Sequence, residues 1–239
     1  MKRVAREFDR FAQGYCQSNT IQQNVAAHLV SKLPIYPTSC LDLGAGHGEI
    51  YHRIGDGIEQ FIAVDIAPAL CEKHPIGQGI NVLIGDFDES QFWDEISPYL
   101  PCELILSSSA LQWSSCLPLL LDRIASHSSY FACAIFTSAT FANVYKQASL
   151  QTFLPNKDDV MKWLFDRFDG EIECKTWTQS FPDALALFRY IKRSGLNGKG
   201  GLLTYRTMKE LIASFPDRHL EFEVTFFWGK SKKSSFSKL

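Results

Sequence analysis

The 239-residue sequence has no apolar run near the roughly 18 residues of a membrane-spanning helix. It has little net charge, −2 at neutral pH, which excludes a protein-wide field for nucleic acid while leaving local basic patches open. It has no C-x-x-C pair. Its seven cysteines, Cys16, Cys40, Cys71, Cys102, Cys116, Cys133 and Cys174, are odd in number, and several sit in apolar runs. That pattern reads as buried, reduced thiols of a cytoplasmic protein, not as a disulfide framework. No apolar stretch follows the charged start Met1-Lys-Arg-Val-Ala-Arg-Glu-Phe8, so it does not read as a secretory signal. No internal repeat is visible. The final Ser237-Lys238-Leu239 matches a peroxisomal address, but it reads more simply as the end of a flexible tail over 231–239.

What is plentiful is apolar sequence, 46% of the chain, enough for one large domain. Helical spacing of Phe8, Phe11, Ala12 and Tyr15, then of Val25, Ala26, Leu29 and Val30, predicts N-terminal helices over 1–37. From 38 to 137 five short apolar segments alternate with helical ones. Strands are expected at 39–43, 60–65, 80–84, 102–107 and 129–137. Such alternation predicts a parallel sheet with helices on both faces, and continuously apolar strands fit a sheet covered on both sides. Beyond it we expect a helical insertion over 138–170, with helices at 141–153 and 158–168. The region 171–230 is expected to hold a strand at 171–178, a helix at 182–194, a capping box at Thr207–Glu210 and a last strand at 220–228.

The chain is organised around Cys40-Leu-Asp-Leu-Gly-Ala-Gly-His-Gly-Glu-Ile50. An apolar strand runs into a loop with Gly44, Gly46 and Gly48, followed by a helix start. Glycine lets backbone approach a ligand closely, and the amides of a helix start favour anionic groups. Asp65 closes the second strand 19 residues after Gly46, a spacing that suits two ribose hydroxyls. Asp86 follows the third strand, where it could accept from an exocyclic amino group, with Phe87 against a purine. Both aspartates also fit ordinary turn chemistry. A nicotinamide fingerprint needs a third glycine where this loop has Glu49, and a phosphate loop needs a lysine that is missing.

The loop resembles the first motif of class I S-adenosylmethionine-dependent methyltransferases, and Asp65 and Asp86 fall where that class places its ribose- and adenine-binding acids. The resemblance implies a three-layer, Rossmann-like α/β fold, a seven-stranded, mostly parallel sheet with an antiparallel last strand. It also implies cofactor contacts at Ile66, Phe87, Ser107 and Gln22, with S-adenosylhomocysteine as product. A narrower likeness lies outside this core. Phe8-Asp-Arg-Phe-Ala12-Gln-Gly-Tyr15, Ser107-Ser-Ser-Ala-Leu-Gln112-Trp113 and Phe181-Pro-Asp-Ala-Leu185 with Arg189, Lys192 and Gly195 are similar to the malonyl-[acyl-carrier-protein] O-methyltransferases of biotin synthesis. Ala45, Ser108-Ser109 and Ser126-His-Ser-Ser129 depart from that family's usual pattern.

The narrower resemblance implies that a malonyl thioester on acyl carrier protein, or on coenzyme A, is methylated on its free carboxylate. A carboxylate is ionised at neutral pH and needs no base, and no convincing His–Asp pair is present. His47 reads as a turn residue. Arg189 and Lys192, three apart on one helix face, could hold the carboxylate and a phosphate, or could be ordinary solvated charge. Tyr15 and Trp113 could close the pocket around the sulfonium, with Gln112 beside the substrate. The late basic residues could dock an acidic carrier. We expect a monomer, no metal, no nucleic acid and no membrane. Two other readings stay open: a class I methyltransferase for another small carboxylate or hydroxyl, and a non-catalytic S-adenosylmethionine-binding module.

Overall fold

The computed structural model describes residues 20–193 and 205–232. Tyr15, Cys16, Gly195, the late basic Lys199 and the tail from 233 lie outside the described residues, as does the side chain of Lys192.

In chain order the elements are α1 (Thr20–Val30), β1 (Ser39–Leu43), α2 (Tyr51–Ile54), β2 (Gln60–Asp65), α3 (Pro68–Cys71) and β3 (Ile80–Ile84). Then come α4 (Ser90–Glu95), β4 (Cys102–Ser108), α5 (Leu117–His127), β5 (Ser128–Phe136), α6 (Ala142–Gln147) and α7 (Lys157–Arg167). The chain closes with β6 (Phe168–Ser180), α8 (Ala184–Arg193), α9 (Tyr205–Ser214) and β7 (His219–Ser231).

The seven strands form one sheet in the order β3-β2-β1-β4-β5-β7-β6. Strands β1 to β5 pair in parallel, and β7 runs antiparallel to both of its neighbours. The order in which the strands are laid down therefore reverses between β1 and β4, and ligands of such sheets bind beyond the carboxyl ends at that switch. Each face of the sheet carries its own apolar layer. On one side Cys40, Ala63, Leu104 and Phe226 pack under α1, α8 and α9; on the other Leu41, Ile62, Ile105 and Phe131 pack under α4, α5 and α7. This is the expected three-layer, Rossmann-like α/β architecture, with helices on both faces of a mostly parallel sheet as the strand alternation predicts.

Helix α1 lies on the first face by the stripe Ile21, Gln22, Val25, Ala26 and Leu29, all buried. Its far end is tied to β6: Lys32 Nζ lies 2.9 Å and His28 Nε2 3.1 Å from the Glu173 carboxylate. Those ties fix the helix that presents Gln22 to the loop after β1.

Several elements differ from expectation. The helix expected over 141–153 stops at Gln147. Ser149 takes a left-handed φ of 53°, the Ser149 amide donates to the Lys146 carbonyl (3.2 Å) and the Leu150 amide to the Tyr145 carbonyl (2.9 Å). That paired bonding satisfies the last carbonyls and turns the chain out. Helix α7 lies against α5, β6 and β7, its Val160 and Leu164 buried in the second apolar layer. It thus serves as the connection to β6, in the same layer as α5. Asn156 caps α7, its side chain accepting from the Asp158 amide at 2.8 Å.

Thr207 is not a helix cap: α9 already runs at Tyr205, and the Glu210 carboxylate is taken by Arg206 one turn away, at 2.9 Å. Cys40, Cys71, Cys102 and Cys133 are buried as expected, whereas Cys116 and Cys174 are exposed. Burial pushes the Cys102 thiol up to about 12. No helix among the described residues is long and apolar enough to cross a membrane.

Candidate active site

All three glycines of the loop hold positive φ: 81° at Gly44, 57° at Gly46 and 93° at Gly48. Their reasons differ. A Cβ on Gly44 would sit 2.1 Å from the Ala110 Cβ, and one on Gly48 would sit 2.6 Å from Pro75 Cδ. Those two are glycine because neighbours occupy the space. A Cβ on Gly46 would meet nothing within 4 Å, so its bare face opens into the pocket. The loop is pinned from behind. The Gly44 and Ala45 amides both donate to the Val64 carbonyl, at 2.8 and 2.9 Å. Ser107, fully buried, donates its hydroxyl to the Leu43 carbonyl at 2.6 Å and so clamps β4 to the strand end from which the loop springs. Helix α2 is a single turn beginning at Tyr51, and the Gly44, Ala45, Gly46 and Gly48 amides donate within the protein, so the loop offers a ligand its shape more than a helix dipole or free amides.

Asp65 is half-buried at the end of β2. One carboxylate oxygen accepts the Gly46 N–H and the other the Ala67 N–H, both at 2.9 Å. Each oxygen keeps lone-pair capacity for a hydroxyl donor. Asp86, half-buried just beyond β3, bends its own turn by accepting from the Asp88 amide at 3.0 Å. The ring of Phe87 goes elsewhere. It is only 6% exposed within the second apolar layer, and its carbonyl accepts from the Trp93 indole at 2.9 Å. In this structure that ring is core, and the apolar surface near the two acids is instead Ile66, half-buried, and Ile84, 61% exposed and in register with Asp65.

Between α1 and the loop lies a pocket lined by Gln22, Gln23, Ala26, Asp42, Gly44–Glu49 less Gly48, Ile50, Ser108 and Ser109. Its most unusual member is Asp42. The residue is 1% exposed, its β1 register neighbours are Ala63 and Leu106, and neither carboxylate oxygen has a hydrogen-bond partner among the described residues. Burial holds its carboxyl well above the usual range, and the charge of Asp65 pushes it the same way. An unpaired buried carboxylate is costly, and its natural complement is a cation. Sequence reasoning passes over Asp42 because it sits inside an apolar strand. The signal was there: a charged residue where the strand should bury a hydrocarbon.

Of the other expected residues, Gln22 is brought to the pocket, with its amide oxygen buried and unpartnered. His47 lines it too, and burial lowers its basicity. Ser107 serves as the clamp, while its neighbours Ser108 and Ser109 line the pocket. Gln112 and Trp113 form a short 3-10 turn just beyond, both buried; Trp113 stacks on Phe153 at 5.0 Å and 21°. Arg189 is exposed on α8, whose Leu187, Phe188, Tyr190 and Ile191 are buried, and it is not part of the pocket lining. The described residues contain no cluster of three metal-ligating side chains.

No protein-family model matches the chain. A malonyl-[acyl-carrier protein] O-methyltransferase of Halorhodospira halophila is 26% identical over 237 residues, spanning 89% of this chain and 79% of that protein. One of Chlorobium luteolum is 28% identical over 216 residues, spanning 81% and 78%. Among solved structures, a candidate methyltransferase of Bacillus halodurans superposes with a TM-score of 0.60 at 14% identity, covering 89% of this chain and all of that one. The chain thus resembles malonyl-[acyl-carrier protein] O-methyltransferases over most of its length and shares the methyltransferase fold.

Proposed function

We propose that the protein is an S-adenosylmethionine-dependent O-methyltransferase whose acceptor is the free carboxylate of a malonyl thioester on acyl carrier protein. The observation that carries the cofactor assignment is the pairing of Asp42 with the open face of Gly46 in one pocket. A buried, unpartnered carboxylate fits the ammonium of a methionine moiety, and a bare glycine beside it fits close approach of the ligand. Asp65 suits the ribose hydroxyls, Asp86 the adenine amino group, and Ile66 with Ile84 the purine faces. Gln22 would add a side-chain contact from α1, and Ser107 would hold the cradle in place.

When bound, the cofactor supplies a methyl already activated by its sulfonium, which leaves as a neutral thioether when the acceptor takes the methyl. The protein's task is then alignment and exclusion of water. An acceptor carboxylate is ionised at neutral pH, so no side chain has to remove a proton. Trp113, Gln112 and Tyr15 are the residues we assign to the acceptor side. Arg189 and Lys192 are assigned to the anionic groups of the substrate and its carrier, which the exposure of Arg189 suits. The malonyl substrate itself rests on the likeness to the Halorhodospira and Chlorobium proteins. Capping that carboxylate would let chain elongation treat the malonyl unit as an apolar starter, on the way to biotin.

The test is methyl transfer from labelled S-adenosylmethionine to malonyl-carrier protein, malonyl-coenzyme A or free malonate. Label in the carrier-bound malonyl ester is expected. Cofactor binding without label in any malonyl species would overturn the substrate, and absence of cofactor binding would overturn the whole assignment.

A further inference from the structure

Resting on that reading, we propose that Ser109 is a substrate-binding residue whose hydroxyl donates to the acceptor carboxylate and sets the protein's preference for an anionic acceptor. The residue follows β4, on the far side of the glycine loop from Asp65. It holds a left-handed φ of 64°, a conformation that a serine adopts at a cost and glycine or asparagine would adopt more readily. Two bonds enforce it. The Ser109 amide donates to the Ala134 carbonyl at 2.9 Å, and the Ser109 carbonyl accepts from the Gln112 amide nitrogen at 2.6 Å. The side chain so placed lines the pocket, and its Oγ is buried without a partner among the described residues.

A backbone held in a strained region by surrounding bonds, and carrying an unused hydroxyl into a cavity, points to a ligand. The ionisable groups of that cavity choose the ligand. Asp42 is the group for the cationic cofactor, Glu49 is paired with Arg53, and burial lowers the basicity of His47, so the described lining offers an anionic acceptor no Lys or Arg. An acceptor carboxylate entering there needs a donor, and the Ser109 hydroxyl can supply one. The neighbouring Ala110 touches the place where a Gly44 Cβ would be, so Ser109 stands where cofactor and acceptor meet. Gln112 acts as the positioning residue: a carbonyl can only accept, so the amide nitrogen must face Ser109, which fixes that backbone.

The experiment compares the parent with Ser109→Ala and Ser109→Gly, measuring cofactor affinity by calorimetry and steady-state methylation of malonyl-carrier protein. Losing a hydrogen bond to a charged group should raise KM for the malonyl acceptor about tenfold in both variants, with cofactor affinity unchanged. Glycine relaxes the backbone, so Ser109→Gly decides the matter should the alanine variant fail to fold. Unchanged KM in a folded variant would overturn the assignment. So would a loss of cofactor affinity that parallels the loss of turnover, since the hydroxyl would then serve the cofactor. A parent that methylates no malonyl species would instead remove the functional reading and this inference with it.

Discussion

The Gly46 amide donates to the Asp65 carboxylate at 2.9 Å, joining the middle of the glycine loop to the end of the neighbouring strand. The same carboxylate accepts from Ala67, so one side chain shapes the turns on both sides of the expected ribose site. Asp65→Ala removes both acceptors and the ribose contact together. Cofactor affinity should fall by at least about tenfold, given the usual worth of hydrogen bonds to a charged group. Asp65→Asn keeps one acceptor oxygen and should fall less. Calorimetric titration with S-adenosylhomocysteine checks both; unchanged affinity in Asp65→Ala removes the residue from the cofactor site.

Asp42 gives a pH dependence with a definite sign. Its folded carboxyl is raised by burial and then by Asp65, while the unfolded one titrates near about 3.9. The ligand-free folded state therefore holds a proton that the unfolded chain has lost. Stability should fall as pH rises from about 4 through the folded value, then level off. Asp42→Asn removes that slope, so the ligand-free variant should melt above the parent at pH 8 while binding cofactor much more weakly. Binding of a cationic ligand to the parent should release protons below the folded value, read as buffer-dependent heats.

Gly44 and Gly46 should respond differently to the same substitution. Gly44→Ala drives a methyl into Ala110 at 2.1 Å, and overpacking of this kind costs roughly 1–3 kcal/mol beyond the strain of its positive φ. The variant should lose stability and cofactor affinity together. Gly46→Ala meets no atom within 4 Å and should cost only about 1–2 kcal/mol of backbone strain. It should stay folded yet bind cofactor poorly, because the methyl points where the ligand belongs. Differential scanning and titration separate the two.

Arg189 is exposed, so truncating it should leave folding alone. Arg189→Ala should cut turnover of malonyl-carrier protein far more than it alters cofactor affinity. Equal turnover would return the residue to ordinary solvated charge.

Asn156 is a purely structural check. Asn156→Ala loses the bond to the Asp158 amide and should cost about 1 kcal/mol, with cofactor affinity unchanged. Thermal melting reads it.

The first five strands and the glycine loop were legible because each strand is a short apolar run, the first four with glycine, proline or aspartate at an end, a local signal. The less legible features depend on what packs next door. Asp42 hides in an apolar run, and only the depth of β1 makes it an unpaired charge. Ser107 was expected at the cofactor, but strand alternation turns it to the Leu43 carbonyl, and its neighbours Ser108 and Ser109 face the pocket. Phe87 follows the acid where a purine contact was expected, but tertiary packing takes its ring into the core. Thr207 has the letters of a capping box, yet the helix starts upstream and Arg206 takes the glutamate.

The contact between Gly44 and Ala110 has a thermodynamic meaning. With no room for even one methyl between them, the cradle and the loop after β4 form a single wall. An acceptor that shifts Ala110 shifts Gly44 with it, and a cofactor that settles against Gly44 fixes Ala110. The two binding events are therefore coupled reciprocally: the factor by which the first ligand changes the second's affinity is the factor by which the second changes the first's.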